Sequence, residues 1–328
     1  MILVLGGAGY IGSHAVKMLV EAGEAVVVVD NLETGHVESI DSRATFYKVD
    51  IRDEAALKAV FESHDIEAVL HFSANSLVGE SCENPIKYFD NNVHGANVLL
   101  KVMKDHGVKK IVFSSTAAVY GEPKVVPISE ENETIPANPY GESKLMMEKM
   151  FKWADAAHGI KYVSLRYFNV AGADKSGSIG EAHTIETHLI PLVLQVPLGQ
   201  REAISIFGDD YPTKDGTCIR DYIHVIDLID AHLKALNYLR EGNESNIFNL
   251  GSGEGFSVKE IIDVAEIVTG QKINQKIEPR RSGDPSILIA SPKKAAEILK
   301  WVPTHTSVKE IIEDAWHFHQ NRPNGYKG

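Results

Sequence analysis

Short apolar runs separated by longer amphipathic stretches fill the first half of the chain. "ILVL", "AVVVVD", "TFYKVD", "AVLHFS", "KKIVFSS" and "KYVSLRYF" are rich in Val and Ile and mostly unbroken by charge. Uninterrupted apolar strands suit burial on both faces, as in a parallel sheet. Between them helical periodicity runs over 10–22, 53–63, about 85–106 and 140–158. Gly23, Gly107 and Gly159 stand just past three of these stretches, where a glycine C-cap belongs. This alternation predicts a doubly wound parallel α/β sheet of the Rossmann type over residues 1–172.

The pattern changes after Gly172. The polar, glycine-rich "GADKSGSIGEAHT" reads as a loop opening a second, smaller unit of mixed α/β character over 173–328. Helices are expected near 187–199, 226–240, 257–269 and 306–320, and strands at "AISIF" and "RDYIHV". The stretch from about 218 to 242 is expected to pack back on the first unit. Two lobes then enclose a cleft, with the second lobe supplying specificity.

Charge narrows the partners. Lys and Arg number 33 against 45 Asp and Glu, a net charge of −12, which disfavours nucleic acid or an anionic membrane surface. Cys82 and Cys218 lie far apart without disulfide or metal spacing, as suits a reducing cytoplasm. The opening "MILVLGGAGYIG" reaches glycines too soon for a signal peptide, and no stretch is long and apolar enough to span a bilayer. A cytoplasmic protein is expected. Among the 14 histidines, His183 and His188 in "HTIETH" lack an i, i+4 spacing, and no His-Glu-x-x-His occurs, so no metal is expected.

Chemistry begins at "VLGGAGYIG". Gly6, Gly9 and Gly12 recur every three residues between the first strand and the first helix. Glycines let backbone approach a pyrophosphate, and the helix start offers free N–H groups to its charge. Asp30 closes the second strand at the offset of a carboxylate that binds ribose hydroxyls, and its charge favours NAD over NADP. Asp50, ending the third strand, reads either as an adenine contact or, with Asp53, as a helix cap.

A tyrosine precedes a lysine by four residues twice, in "YGEPK" (Tyr120–Lys124) and "YGESK" (Tyr140–Lys144). Pro123 and Pro127 make the first copy a loop, where the two side chains need not meet. The second follows Asn138, an N-cap, and Pro139, suited to the first helical position, so Tyr140 and Lys144 share a helix face. A phenol titrates near ~10, too high for a base at neutral pH, but an adjacent ammonium and the positive ring of an oxidised nicotinamide both lower it. "VFSSTAAVYG" adds hydroxyls at the end of the fifth strand, where such sheets open their ligand cleft. Thr116 then passes a proton or binds a substrate hydroxyl; Ser114, Ser115 and Thr116 also suit plain turn chemistry.

Glycine loop, strand-end hydroxyls and Tyr-x-x-x-Lys, in this order, resemble the extended short-chain dehydrogenase/reductase family. "DNL", "DIRD", "HFSA", "VGES", "DNNV", "RYFNVAGA", "FNLGSG" and "RRSGDP" extend the likeness along nearly the whole chain. The block from Gly208 to Val225 is its most specific part. The resemblance implies a tightly held NAD, a UDP-hexose substrate, and interconversion of UDP-galactose and UDP-glucose in galactose metabolism. Tyr140 would take the proton of the sugar 4-hydroxyl while C4 gives hydride to NAD⁺. The 4-keto sugar would then turn and receive the hydride on its other face. Lys144 would orient the nicotinamide ribose and tune Tyr140, and Thr116 would aid proton transfer.

The resemblance also assigns contacts. Tyr10, Ile11, Asn31, Leu32, Thr34 and Gly35 fall on cofactor positions beside Gly6, Gly9, Gly12, Asp30 and Asp50. So do Ile51, Phe72, Ser73, Ala74, Asn91, Ser114 and Phe168, with Tyr140 and Lys144. Thr116, Asn169, Leu189, Phe207, Arg220, Arg281 and Asp284 fall on nucleotide-sugar positions, and paired arginines suit a diphosphate entering an acidic protein. His188 replaces an asparagine near the substrate phosphates, which makes binding pH-dependent. Ser76 replaces a lysine near the cofactor phosphates. Leu288 aligns with a gatekeeper where a small residue admits N-acetylhexosamines and a tyrosine excludes them. Relatives pair the helices near 85–106 and 140–158 into a dimer interface, so a homodimer is expected.

Rival functions remain. A 4-epimerase acting on UDP-N-acetylglucosamine, or on both sugars, shares every motif. A 4,6-dehydratase would want acids where Ala117 and Ala118 stand. A non-catalytic NAD-binding sensor would have no use for a tuned phenol.

Overall fold

Six of the apolar runs form strands β1 (Ile2–Leu5), β2 (Val26–Asp30), β3 (Thr45–Lys48), β4 (Ala68–His71), β5 (Lys110–Thr116) and β6 (Lys161–Tyr167). They belong to a computed structural model that describes residues 1–281 and 284–326. The second half contributes a seventh, β7 (Asn246–Leu250). The order is β7-β6-β5-β4-β1-β2-β3, with every neighbouring pair parallel. Helices α1 (Tyr10–Glu21), α2 (Glu54–Ser63), α3 (Gly95–Asp105), α4 (Pro139–His158) and α5 (Val225–Arg240) cover its two faces.

The strand pattern explains the layers. Leu3 and Leu5 of β1 join Val27, Val69 and Phe113 under α2, α3 and α4, whose inward residues include Leu57, Leu99 and Phe151. Ile2 and Val4 point the other way, packing with Val28, Leu70 and Val112 against Leu19 of α1 and Leu228 and Leu236 of α5. Each fully buried side chain of this kind contributes roughly 1.5–3 kcal/mol relative to exposure. The doubly wound expectation holds. The return of the second half goes further than 218–242, because β7 completes the sheet and α5 lies in its core.

Local chemistry sets the helix ends. The Asn138 side chain accepts from the Gly141 N–H at 2.9 Å and Pro139 fills the first turn of α4. Gly159 ends that helix with φ +64°. The periodic stretch at 85–106 is not one α-helix: a wider π turn over Phe89–His94 interrupts it before α3. Such turns recur at functional sites, and this one carries Asn91. The helix expected over 187–199 is only Leu189–Leu194.

The smaller unit has its own core, with Ile190, Val193, Ile204, Ile261 and Ile311 among its buried residues. Ile204–Phe207 pairs parallel with Gln275–Glu278. Ile219–Arg220 lies between Phe256–Ser257 and Ile287–Leu288, setting Leu288 beside Arg220. Among the described residues no helix is long and apolar enough to cross a membrane.

Candidate active site

Strand order reverses between β1 and β4, and a cleft of about 560 Å³ opens there at their carboxyl ends. Gly6 turns the chain with φ +76°, and a Cβ on it would meet the Ser73 nitrogen at 2.6 Å. A Cβ on Gly12 would meet the Gly6 carbonyl oxygen at 2.1 Å, so the loop closes only with glycine there. No side chain caps the start of α1 at Gly9, which leaves its N–H groups directed at the cleft mouth for an anion. These features fit a dinucleotide pyrophosphate.

Asp30, Asn31, Thr34, Ile51, Phe72, Ser73, Ala74 and Asn91 line the cleft with Gly6 and Gly9. The Asp30 carboxylate accepts from the Ala8 N–H at 3.0 Å and the Leu32 N–H at 2.8 Å. Burial pushes its pKa up while these two bonds oppose that. Leu32 adopts φ +61°, and Gly35 lies against Ala8, where a Cβ would come within 2.8 Å. Ile11 packs into the core under the sheet. Tyr10 donates to the Gly172 carbonyl at 2.7 Å.

Asp50 is not the helix cap. Its carboxylate binds Arg52 Nε at 2.9 Å and Nη2 at 2.7 Å and accepts from Asn31 at 3.3 Å. The guanidinium holds it well below the usual carboxylate range. Asp53 alone caps α2, accepting from Ala56 at 3.0 Å. Val29, Glu33, Val49 and Asn75 also line the cleft but were not singled out in the sequence. All four neighbour residues that were, which is the signal that could have found them.

The two Tyr–Lys copies separate completely. Tyr120 is 2% exposed, donating to Asn249 at 2.7 Å and accepting from Arg166 at 2.9 Å. Its Lys124 lies in solvent, 3.7 Å from Glu133. Tyr140 is half-buried at the start of α4, near the Thr116 side chain that opposes the effect of burial on its phenol. Thr116 ends β5 and also accepts from the Ala118 N–H at 3.1 Å.

Lys144, 3% exposed, donates to the Ser114 carbonyl at 2.8 Å and rests on the Phe113 ring. Its nitrogen is 6.0 Å from the centre of the Tyr140 ring. Burial pushes the Lys144 ammonium down to about 7, with the Glu148 carboxylate opposing. Burial likewise pushes the Tyr140 phenol up, and Thr116 pulls it back. Within the protein's own groups, Lys144 does not offset what burial does to Tyr140. Removing both groups from water favours their neutral forms more than their separation favours the charged ones. Glu148, one turn beyond Lys144 and legible by that spacing, pairs with Arg166 and accepts from Ser115 at 2.5 Å.

In the smaller unit, Arg220 pairs with Asp284. Arg281 stacks on Phe207, its guanidinium carbon 4.0 Å from the ring centre. Leu288 packs with Phe168 onto Val119 and Leu145. Asn169 starts a short strand beside Tyr222 and is exposed, and Leu189 follows His188 into its helix. Within "RRSGDP", Ser282 and Gly283 lie outside the described residues. His188 contacts Glu181, whose charge pushes the imidazole up to about 9.

The i, i+4 argument against His183 and His188 as joint ligands does not hold. Glu181, His183, Glu186 and His188 bring one ligand atom each within 4.8 Å of all the others. The segment is a loop before the helix, so helical spacing never applied.

Residues 2–251 match the model of the NAD dependent epimerase/dehydratase family. A UDP-glucose 4-epimerase of Halalkalibacterium halodurans is 59% identical over 99% of this chain and 97% of its own. A crystal structure of a UDP-glucose 4-epimerase is similar with a TM-score of 0.98 at 58% identity, covering 100% of this chain and 99% of that one. The Bifidobacterium longum UDP-glucose 4-epimerase in complex with NAD⁺ and UDP gives 0.93 at 39% identity, with 99% of each chain covered. This chain belongs to the NAD dependent epimerase/dehydratase family.

Proposed function

We propose that this chain interconverts UDP-galactose and UDP-glucose. The observation that carries the reading is that Tyr140 and Lys144 stand in the first turns of α4 beside the end of β5, where Thr116 lies and where Lys144 donates to the Ser114 carbonyl. When bound, NAD supplies the acceptor that takes a hydride from sugar C4 and the donor that returns it to the opposite face of the 4-keto sugar.

The chain's own groups manage the proton. Tyr140 takes it from the 4-hydroxyl and gives it back, and the Thr116 hydroxyl bridges phenol and sugar. Lys144, anchored on the Ser114 carbonyl, stands ready to donate to a ribose hydroxyl. Burial raises the Tyr140 phenol, and a positive nicotinamide ring held beside it would supply the charge that lowers it again. Arg220 and Arg281 hold the diphosphate, and Asp284 and Phe207 keep both guanidinium planes oriented beforehand. Leu288, packed on Phe168, bounds the sugar and leaves room for a modest C2 substituent.

The free thiols Cys82 and Cys218 support a cytoplasmic setting. Trp153 on α4, 71% exposed, supports a homodimer packed through that helix.

The test is a proton NMR time course of purified protein with UDP-galactose and no added NAD. The UDP-glucose anomeric signal should appear. No change after NAD is supplied would overturn the assignment, and turnover only with added NAD would trace weak retention to Ser76.

A further inference from the structure

Glu148 lies one helical turn beyond Lys144 on α4, its side chain 4% exposed, and the proton and hydride steps above do not use it. Arg166 of β6, 5% exposed, pairs with it through two bonds, Nε to Oε1 at 2.9 Å and Nη2 to Oε2 at 2.5 Å. Stability alone does not account for such a pair. Taking two charges out of water costs about as much as their attraction gives back, and apolar side chains of similar volume pack a core as stably.

The pair has a direction. Ser115 of β5 donates to its carboxylate end, at Oε1, over 2.5 Å. The guanidinium end donates through Nη1 to the Tyr120 hydroxyl at 2.9 Å, which in turn donates to Asn249 at 2.7 Å. Tyr140, Lys144 and Glu148 recur every fourth residue and so form one stripe along α4. Three successive residues of β5 answer that stripe. Thr116 opposes the effect of burial on Tyr140, the Ser114 carbonyl accepts from Lys144, and Ser115 donates to Glu148.

Lys144 needs a negative charge nearby. Its ammonium has the Ser114 carbonyl and the face of Phe113 on β5, neither of them charged. Tyr140 on α4 stays a neutral phenol because burial raises it. Burial and the Lys144 ammonium push His71 of β4 down to about 3, so it is neutral as well. Glu148 is the group that opposes the effect of burial on Lys144, while Arg166 of β6 is engaged at the far side of the carboxylate by Tyr120.

We propose that Glu148, fixed by Arg166 and Ser115, is a positioning residue whose carboxylate keeps the Lys144 ammonium charged and seated on the Ser114 carbonyl. The inference rests on the epimerase reading above, in which that ammonium orients the nicotinamide ribose.

Two variants of the NAD-loaded full chain test it. Glu148→Met with Arg166→Met removes both buried charges together, and Glu148→Gln keeps the volume and the acceptor for Ser115 while removing the charge. Turnover is expressed per bound NAD, so that unfolded protein does not enter. In each variant the basic limb of kcat against pH should move down by about one pH unit, with KM for UDP-galactose within about threefold of wild type. Lys144 is also titrated without substrate, by ¹³C NMR of protein labelled at the lysine ε-carbon, with the resonance assigned by its loss in Lys144→Met. The same downward shift is expected there. If wild type does not turn over UDP-galactose, the epimerase reading fails while the titration still decides the role of Glu148. An unshifted Lys144 titration overturns the proposal, as does an unmoved pH profile in active variants. Loss of NAD binding in both variants also overturns it, because the pair then serves the fold alone.

Discussion

Phenylalanine at each of the two tyrosines should produce opposite defects. Tyr120→Phe removes a hydroxyl that serves Arg166 and Asn249 in a buried network. The guanidinium and the amide oxygen then lose a partner where water cannot replace it. A buried hydrogen bond to a charged group is worth about 1.5–3 kcal/mol, so a loss of ~3 kcal/mol is expected. At roughly 2–4 °C per kcal/mol the melting temperature falls by several degrees. Turnover of the folded fraction should stay within about threefold, because Tyr120 touches neither cleft nor Tyr140.

Tyr140→Phe leaves ring packing intact and removes a hydroxyl whose one assigned partner, Thr116, sits at the cleft. Its melting temperature should move by no more than about 2 °C, while kcat falls by the ~10²–10⁴-fold typical of a lost general base. The assays are a denaturant titration and the NMR time course, run on both variants with NAD content measured. Loss of turnover at unchanged stability in Tyr120→Phe, or more than a tenth of wild-type turnover in Tyr140→Phe, would refute the assignment of roles.

Lys144 makes a pH prediction with a definite sign. Its folded pKa, about 7, lies below the ordinary lysine value, so the unfolded chain binds more protons between them and stability rises with pH across that window. In cofactor-stripped protein, wild type minus Lys144→Met stability should increase by about 2 kcal/mol from pH 7 to pH 9 in urea titrations; a flat or falling difference contradicts the desolvation argument. Leu288→Tyr should cut kcat/KM for UDP-N-acetylgalactosamine at least tenfold more than for UDP-galactose, and Leu288→Ser should do the reverse; equal effects on both sugars would remove Leu288 as the gatekeeper. Trp153→Arg should shift sedimentation from dimer toward monomer, whereas a wild-type monomer at micromolar concentration would exclude the interface through α4.

By itself the sequence determined everything that rests on local periodicity and local caps. Short Val- and Ile-rich apolar runs alternating with helical periodicity made β1 to β6 and the doubly wound class legible, although β3, at the sheet edge, is partly exposed. Asn138, Pro139 and Gly159 bounded α4, and two prolines excluded "YGEPK" from a helix, which chose Tyr140 over Tyr120. The glycine loop and Asp30 carried the cofactor because their chemistry is fixed within one strand–turn–helix unit.

Tertiary structure decided what depends on residues distant in the chain. Strand β7 sets Asn246 and Asn249 within its apolar run, and its partner lies about eighty residues earlier in β6. The π turn around Asn91 arises within a helical pattern that periodicity cannot distinguish from a straight helix. Spacing predicted that Lys144 faces Tyr140, but only burial, which is a property of the whole core, showed both groups pushed toward neutrality. The pairing of Arg220 with Asp284 and the convergence of Glu181, His183, Glu186 and His188 likewise come from where loops are held. Loops carry no period, so contacts among their side chains are set by the packed elements that hold their ends.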